Sequence, residues 1–211
     1  MIKTKHSLLP PSHRQVVSLR GRIARLPLLE TAISSLKRRL ARPFVALAIS
    51  PNTVTAAGLA FLVGVVYAFS VHDYYLAAGF IIFNGLCDFI DGTVARASNV
   101  ETPLGKLFDR TADKISDAMI LSLYLLFTPV PLPLGIYTMA TMLISTGLSS
   151  NIEAILGQQV SDGLSLRAAR YTLLVTLTPF QQFLPLFALL SILTTFALME
   201  RLITAYRLSV R

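Results

Sequence analysis

From residue 53 onward the chain is a succession of apolar stretches about twenty residues long, broken by short groups of Pro, Gly and charged residues. About twenty residues of helix cross a hydrocarbon layer of about 30 Å, and inside that layer every backbone N–H and C=O must be satisfied within its own segment. The breaks delimit six such segments, at 53–71, 75–96, 105–128, 133–156, 167–180 and 184–206. The fifth is the shortest, because Pro179 and the pair Gln181 and Gln182 close it early. Only 14% of the residues are charged and 54% are hydrophobic, against about a quarter charged in an average soluble domain. That balance excludes both a water-soluble globule and a disordered chain. The expected fold is an all-α integral membrane protein with six transmembrane helices. The first forty residues show no cleavable signal peptide, so the first spanning helix is expected to direct insertion. The lone cysteine, Cys87, excludes an intramolecular disulfide and any multi-cysteine metal site.

The formal net charge of +8 is unevenly placed. Residues 1–42 hold ten basic residues (Lys3, Lys5, Arg14, Arg20, Arg22, Arg25, Lys37, Arg38, Arg39 and Arg42) and one acid, Glu30, whereas residues 43–211 carry nine basic and ten acidic groups. The chain therefore divides into a basic tail, 1–42, and a membrane domain, 43–211. In Leu28–Arg42 the apolar positions 29, 32, 33, 36 and 40 and the cations 37, 38, 39 and 42 have the pattern of an amphipathic helix on an anionic leaflet, each cation contributing about 1 kcal/mol. The simpler reading of the same cations is an anchor that fixes topology. Nucleic acid is not the expected partner, since the basicity belongs to the tail and not to the body. Arg96, Lys106 and Arg110, then Arg167 and Arg170, then Arg207 and Arg211 fall on the same side as the tail, and the other three connections contain no Lys or Arg. Both termini are thus expected on the cytoplasmic face of the cell membrane.

Five aspartates interrupt the apolar pattern. Asp88, Asp91, Gly92 and Ala95 follow i, i+3, i+4, i+7 spacing along one helix face, and Gly105, Asp109, Asp113 and Asp117 step by four along another. A connection at 97–105 makes the two helices antiparallel neighbours, so four carboxylates converge near the cytoplasmic side. Carboxylates in a bilayer each cost several kcal/mol and need a partner. Four like charges so close cannot all ionise without cations, and Lys106, Arg110 and Lys114 step around their helix away from the Asp face, so the plainer reading, interhelical salt bridges or helix caps, is not expected because too few cations face the acids. Oxygen-only ligation suits Mg²⁺ or Mn²⁺, and two such ions held by four Asp is an arrangement used in phosphoryl chemistry. Asp117, one turn beyond, reads as a supporting residue. Cys87 reads as a small packing residue, the isolated His6, His13 and His72 as solvated side chains, Gly58, Gly64 and Gly79 as points of close helix approach, and Glu153 as a supporting or dimer-contact acid.

The run Asp88-Phe-Ile-Asp91-Gly92-Thr-Val-Ala95-Arg96, then eight residues, Gly105, three residues, Asp109, three residues and Asp113 resembles the signature D-x2-D-G-x2-A-R-x8-G-x3-D-x3-D of the CDP-alcohol phosphatidyltransferase family without a deviation. Pro51-Asn52-Thr53-Val54-Thr55 is similar to the family's P-N-x-[hydrophobic]-T segment. The resemblance covers about residues 43–207. It implies a six-helix membrane enzyme, commonly a homodimer, that transfers a phosphoalcohol group from a CDP-lipid donor to a polar alcohol acceptor and releases CMP. By this resemblance Asp88, Asp91, Asp109 and Asp113 hold two divalent ions (Mg²⁺ or Mn²⁺), and Asp113 is also the catalytic base. Gly92, Ala95, Arg96 and Gly105 match positions at the CDP group, with Asn52, Thr53 and Thr102 lining the same pocket; Asn52 also reads as an N-cap of the first span. Asp109-Arg-Thr-Ala-Asp-Lys-Ile-Ser-Asp117-Ala and Gly163-Leu-Ser-Leu-Arg167-Ala-Ala-Arg170 look like segments of inositol-phosphate-accepting members, although Ala169 replaces an acid. Arg167, Arg170 and Arg201 are then the expected acceptor-phosphate residues, positive-inside anchors being the plainer reading of the same side chains. Glycerol 3-phosphate is the alternative acceptor. A divalent-cation transporter would account for the Asp residues, though not for Gly92, Ala95, Arg96 and Gly105.

Overall fold

The structure is a computed structural model describing residues 35, 39–47, 49–98, 102–156 and 164–209. From Pro51 onward the described residues form six helices in order: α1 (Pro51–Ser70), α2 (Tyr74–Ala97), α3 (Pro103–Phe127), α4 (Leu132–Leu156), α5 (Leu164–Leu177) and α6 (Phe183–Ser209). The described residues contain no strand. Of the basic tail 1–42 and the interfacial helix at Leu28–Arg42, residues 35 and 39–42 are described and are helical; the rest lies outside the described residues.

Local chemistry sets the helix starts. Ser50, not Asn52, caps α1: its Oγ accepts from the Thr53 N–H at 3.2 Å, and Pro51 occupies the first turn. The backbone enters the helix two residues earlier than a cap at Asn52 implies, since proline favours the first helical position, where no N–H is needed. Asp73 caps α2, accepting from Leu76 N–H at 2.9 Å, and Thr102 caps α3, accepting from Gly105 N–H at 3.0 Å. Two turns are tight enough to force a non-glycine residue to positive φ, His72 between α1 and α2 and Gln181 between α5 and α6, each at 56°. Both turns reverse the chain, so the helices they join are antiparallel.

The packing order closes on itself. α1 lies on α2, α2 on α5, α5 on α6, α6 on α4, α4 on α3 and α3 on α1, with α3 also reaching α2. One end of this ring is plugged by aromatic residues: Phe69, Tyr74, Tyr124, Phe183 and Phe187 meet edge to face, with ring centroids 4.8 to 6.1 Å apart. Pairs of this geometry contribute about 0.5–1.5 kcal/mol beyond the area they bury. Tyr124 hydroxyl bonds Thr178, which fastens α3 to the end of α5. Along α4 and α6, Thr141 meets Thr194 and Tyr137 meets Thr195, both at 2.8 Å. Such polar contacts join helices where apolar burial offers little driving force.

Four helices, α1, α2, α4 and α6, are long and apolar enough to cross a membrane. α3 has the length, at 25 residues, yet its first four turns carry Lys106, Asp109, Arg110, Asp113, Lys114 and Asp117. α5 has only 14 residues. Large apolar side chains such as Val63, Phe83, Leu126, Ile144 and Phe196 face outward.

The plug predicts an asymmetry. Phe69→Ala, at a fully buried position, lowers the unfolding free energy in detergent by about 3–5 kcal/mol, whereas Phe196→Ala, 63% exposed, changes it by less than about 0.5 kcal/mol.

Candidate active site

The ring's other end carries the charges. Because helices consecutive in the chain alternate in direction, it gathers the N-terminal turns of α1, α3 and α5 with the C-terminal turns of α2, α4 and α6. Asp88 and Asp91, three residues apart on α2, face Asp109 on α3, and carboxylate oxygens of these three lie within 4.8 Å of one another. Asp91 is the deepest, 2% exposed. Thr55 of α1 donates to its Oδ2 at 2.6 Å and the Gly92 N–H donates to its Oδ1, so both oxygens are aimed. Three carboxylates from two helices, one oriented by a hydroxyl from a third, form a hard-oxygen donor set that fits Mg²⁺ or Mn²⁺.

Asp113 is outside that three-way group and is tied to it by an arginine. Arg167 of α5 donates from Nη1 to both oxygens of Asp88, at 2.8 and 3.1 Å, and from Nη2 to Asp113 Oδ2 at 2.7 Å. One turn on, Arg170 pairs with Asp117 at 2.9 Å, both side chains nearly buried at 12% and 11% exposure. The acids are therefore not short of cations; the cations come from α5, some fifty residues further along the chain. Arg110 turns outward as its helix position implies, to an ion pair with Glu153 of α4, which makes Glu153 an α3–α4 contact.

Arg167 and Arg170 also line a partly open cavity, with Arg201 of α6 and the hydroxyls of Ser145, Thr146 and Thr194. Arg201 is buried at 8% exposure and donates to Ser145 Oγ. The three arginines expected at an acceptor phosphate thus share one cavity, while Arg167 also reaches the aspartates.

The residues expected at a CDP group lie on the ring's other flank. A Cβ on Gly105 would stand 3.0 Å from Thr102 Oγ1 and 3.5 Å from Asn52 Oδ1, which places all three side by side where α1 meets α3. Thr53 shares a 2.8 Å hydrogen bond with Ser50. On α2, the Arg96 guanidinium lies back over Gly92, 3.5 Å from where a Cβ would be, and donates to Thr93 Oγ1 at 3.4 Å. Ala95 is half-buried, and Arg96 is exposed.

Sequence reasoning missed the layer beneath the aspartates. Asn84, one turn before Asp88 and 3% exposed, donates to Gly58 C=O at 2.9 Å and to Ser116 Oγ at 3.3 Å, and accepts from Tyr171 hydroxyl at 3.3 Å. Four helices meet at this one amide. Gly85 makes room for it, since a Cβ there would lie 2.8 Å from the Tyr171 ring. The available signal was an amide within an apolar run, on the same face as Asp88 and Asp91. Cys87 packs where a Cβ on Gly58 would come within 3.1 Å, in keeping with a packing role.

The sequence model of the CDP-alcohol phosphatidyltransferase family matches residues 48–206. An uncharacterized protein of Aquifex aeolicus is 40% identical over 72 residues, 34% of this chain and 36% of that protein. The archaetidylinositol phosphate synthase of Pyrococcus horikoshii is 31% identical over 83 residues, 39% of this chain and 44% of the synthase. The matched stretches thus span less than half the length of these two curated relatives. Crystal structures of Mycobacterium tuberculosis phosphatidylinositol phosphate synthase share the fold. With CDP-DAG bound, the TM-score is 0.67 at 22% identity, covering 82% of this chain and 94% of that one. With manganese and citrate it is 0.62 at 24% identity, covering 81% and 88%.

The buried pair on α3 and α5 gives a sharp expectation. Arg170→Met strands the Asp117 charge and lowers the unfolding free energy by about 3–5 kcal/mol, and adding Asp117→Leu recovers most of that loss. Unfolding of the two variants in detergent measures the difference.

Proposed function

The chain belongs to the CDP-alcohol phosphatidyltransferase family, and we propose that it transfers a phosphoalcohol group from a CDP-linked lipid to the hydroxyl of a polar alcohol, inositol phosphate in first place, releasing CMP for phospholipid synthesis. The observation that carries this reading is the juxtaposition of the Asp88, Asp91 and Asp109 carboxylates with a cavity containing three arginines. The inositol-phosphate chemistry named for the Pyrococcus and Mycobacterium proteins, and the manganese and CDP-DAG in the latter, are consistent with it.

In this proposal Asp88, Asp91, Asp109 and Asp113 hold two divalent ions, Mg²⁺ or Mn²⁺. When bound, these offset the pyrophosphate charge and the charge that develops on the leaving CMP. Thr55 keeps the Asp91 carboxylate turned toward the cluster. Arg96 with Gly92 and Ala95, and Asn52, Thr53, Thr102 and Gly105 across the ring, hold the CDP portion of the donor. Arg170 and Arg201, with Ser145 beside them, seat the acceptor phosphate, and Asp113 takes the proton from the acceptor hydroxyl. The acceptor oxygen forms its bond to the β-phosphorus as the bond from that phosphorus to the CMP oxygen breaks. Positioning and charge neutralisation supply most of the rate in such a transfer.

The same reading places the chain in the cell membrane as a homodimer, with α3 and α5 completing six spans and both termini cytoplasmic. The charges of α3 stay within the ring or at its cytoplasmic end, so an apolar exterior is retained there. Ala169, where inositol-phosphate-accepting members have an acid, keeps glycerol 3-phosphate as the second acceptor to test.

Purified protein with Mn²⁺ and a CDP-lipid is expected to release CMP fastest with inositol phosphate among a panel of alcohols. No metal-dependent release with any acceptor would overturn the reaction, and a preference for glycerol 3-phosphate would reassign the acceptor. Asp113→Asn is expected to lower kcat by about 10²–10⁴-fold. Arg201→Ala is expected to raise the acceptor KM by about 10–100-fold, the loss of one charge-assisted hydrogen bond, with the CDP-lipid KM unchanged.

A further inference from the structure

Arg167 stands between two sites that each have a claim on it. Its guanidinium contacts three carboxylate oxygens, both of Asp88 and one of Asp113, and those two residues are among the proposed ion ligands. The same side chain lines the partly open cavity with Arg170 and Arg201. Arg170, three residues on along α5, differs in character: it is nearly buried on Asp117 and its guanidinium lies 5.8 Å from the Tyr171 ring centroid, so packing fixes it. Arg167 is 33% exposed, and its partners are 16% and 21% exposed, leaving it room to turn.

We propose that Arg167 is an exchangeable counter-ion: it neutralises Asp88 and Asp113 until divalent ions take those carboxylates, and its guanidinium then turns into the cavity to bind the acceptor's phosphate. The inference rests on the proposed metal-dependent transfer and adds a binding order to it, ions before acceptor. The physical basis is competition. A guanidinium spread across both oxygens of Asp88 covers the lone-pair directions that an ion needs, and two cations on one carboxylate pair repel each other. Once the ions hold the carboxylates, the arginine gives up its contacts with Asp88 and Asp113 and lies beside a cavity that it already lines with Arg170 and Arg201. A dianionic phosphate is a group that this basic lining suits. Arg167 is in this sense a positioning residue that makes acceptor binding conditional on a loaded metal site.

Binding measurements on the full-length protein in detergent test this without turnover. Mn²⁺ affinity is read from the spin-resonance signal of the free ion, and inorganic phosphate serves as the probe of the cavity. Arg167→Gln is expected to bind Mn²⁺ about ten-fold more tightly than wild type, because a competing cation has gone. A residue that only holds the aspartates in place would produce the opposite sign, so unchanged or weaker Mn²⁺ binding in the variant overturns the exchange. In wild type, saturating Mn²⁺ is expected to tighten phosphate binding, and phosphate to tighten Mn²⁺ binding by the same factor. That coupling should vanish in Arg167→Gln. Coupling that persists in the variant would mean phosphate binds the ion directly, and the proposal fails. Should the variant not fold, the wild-type linkage decides alone: phosphate affinity indifferent to Mn²⁺ overturns it. Wild-type Mn²⁺ binding with none of these effects leaves the transfer reaction standing, whereas no Mn²⁺ binding at all removes both.

Discussion

Everything at the charged end of this molecule follows from the cost of placing carboxylates inside an apolar body. Five aspartates lie on two adjacent helices, and each must find a positive charge or a donor within the protein. For four of the five the structure meets that need from three directions. Thr55 and the Gly92 N–H address Asp91, Arg167 bridges Asp88 and Asp113, and Arg170 holds Asp117. Only Asp117 is held by a partner that is nearly buried and packed on an aromatic ring. Asp88 and Asp113 instead share the partly exposed Arg167, and both belong to the family signature.

The closed ring of helices makes this arrangement possible. Alternating directions bring the start of α5 to the end of α2 and the start of α3, so cations remote in sequence meet acids that are close in sequence. The opposite end is occupied by an interlocked aromatic plug, in which Tyr124 spends its hydroxyl on Thr178. One end of the bundle is thus filled by packed aromatic rings, while the other is polar and charged. Asn84 lies between the two, and its single amide joins α1, α2, α3 and α5 one turn beneath the aspartates.

Much of this was legible in the residues. The apolar runs located all six helices to within a few residues, since breaks at Pro131, Pro133, Pro179 and His72 leave little freedom in where a helix ends. Step-of-three and step-of-four spacing placed Asp88, Asp91 and Asp109 on facing surfaces, and their carboxylates do meet. The start of α1 was less legible, because Ser50 and Asn52 are both good caps and Pro51 decides between them. Of the six expected spans, α1, α2, α4 and α6 qualify by length and composition, while α3 carries more charge and α5 is shorter than those criteria admit.

What the sequence determined by itself is the helical class, the segment boundaries and the acidic faces, because these follow from periodicities of a few residues and from the hydrocarbon's intolerance of polar backbone. Which cation neutralises which acid was decided only in three dimensions. Arg110 is next to the aspartates in sequence and pairs with Glu153 instead, while Arg167 and Arg170 are far along the chain and arrive by helix packing. The reason is geometric: spacing on one helix fixes direction around its axis, whereas a contact between helices depends on how the whole ring closes.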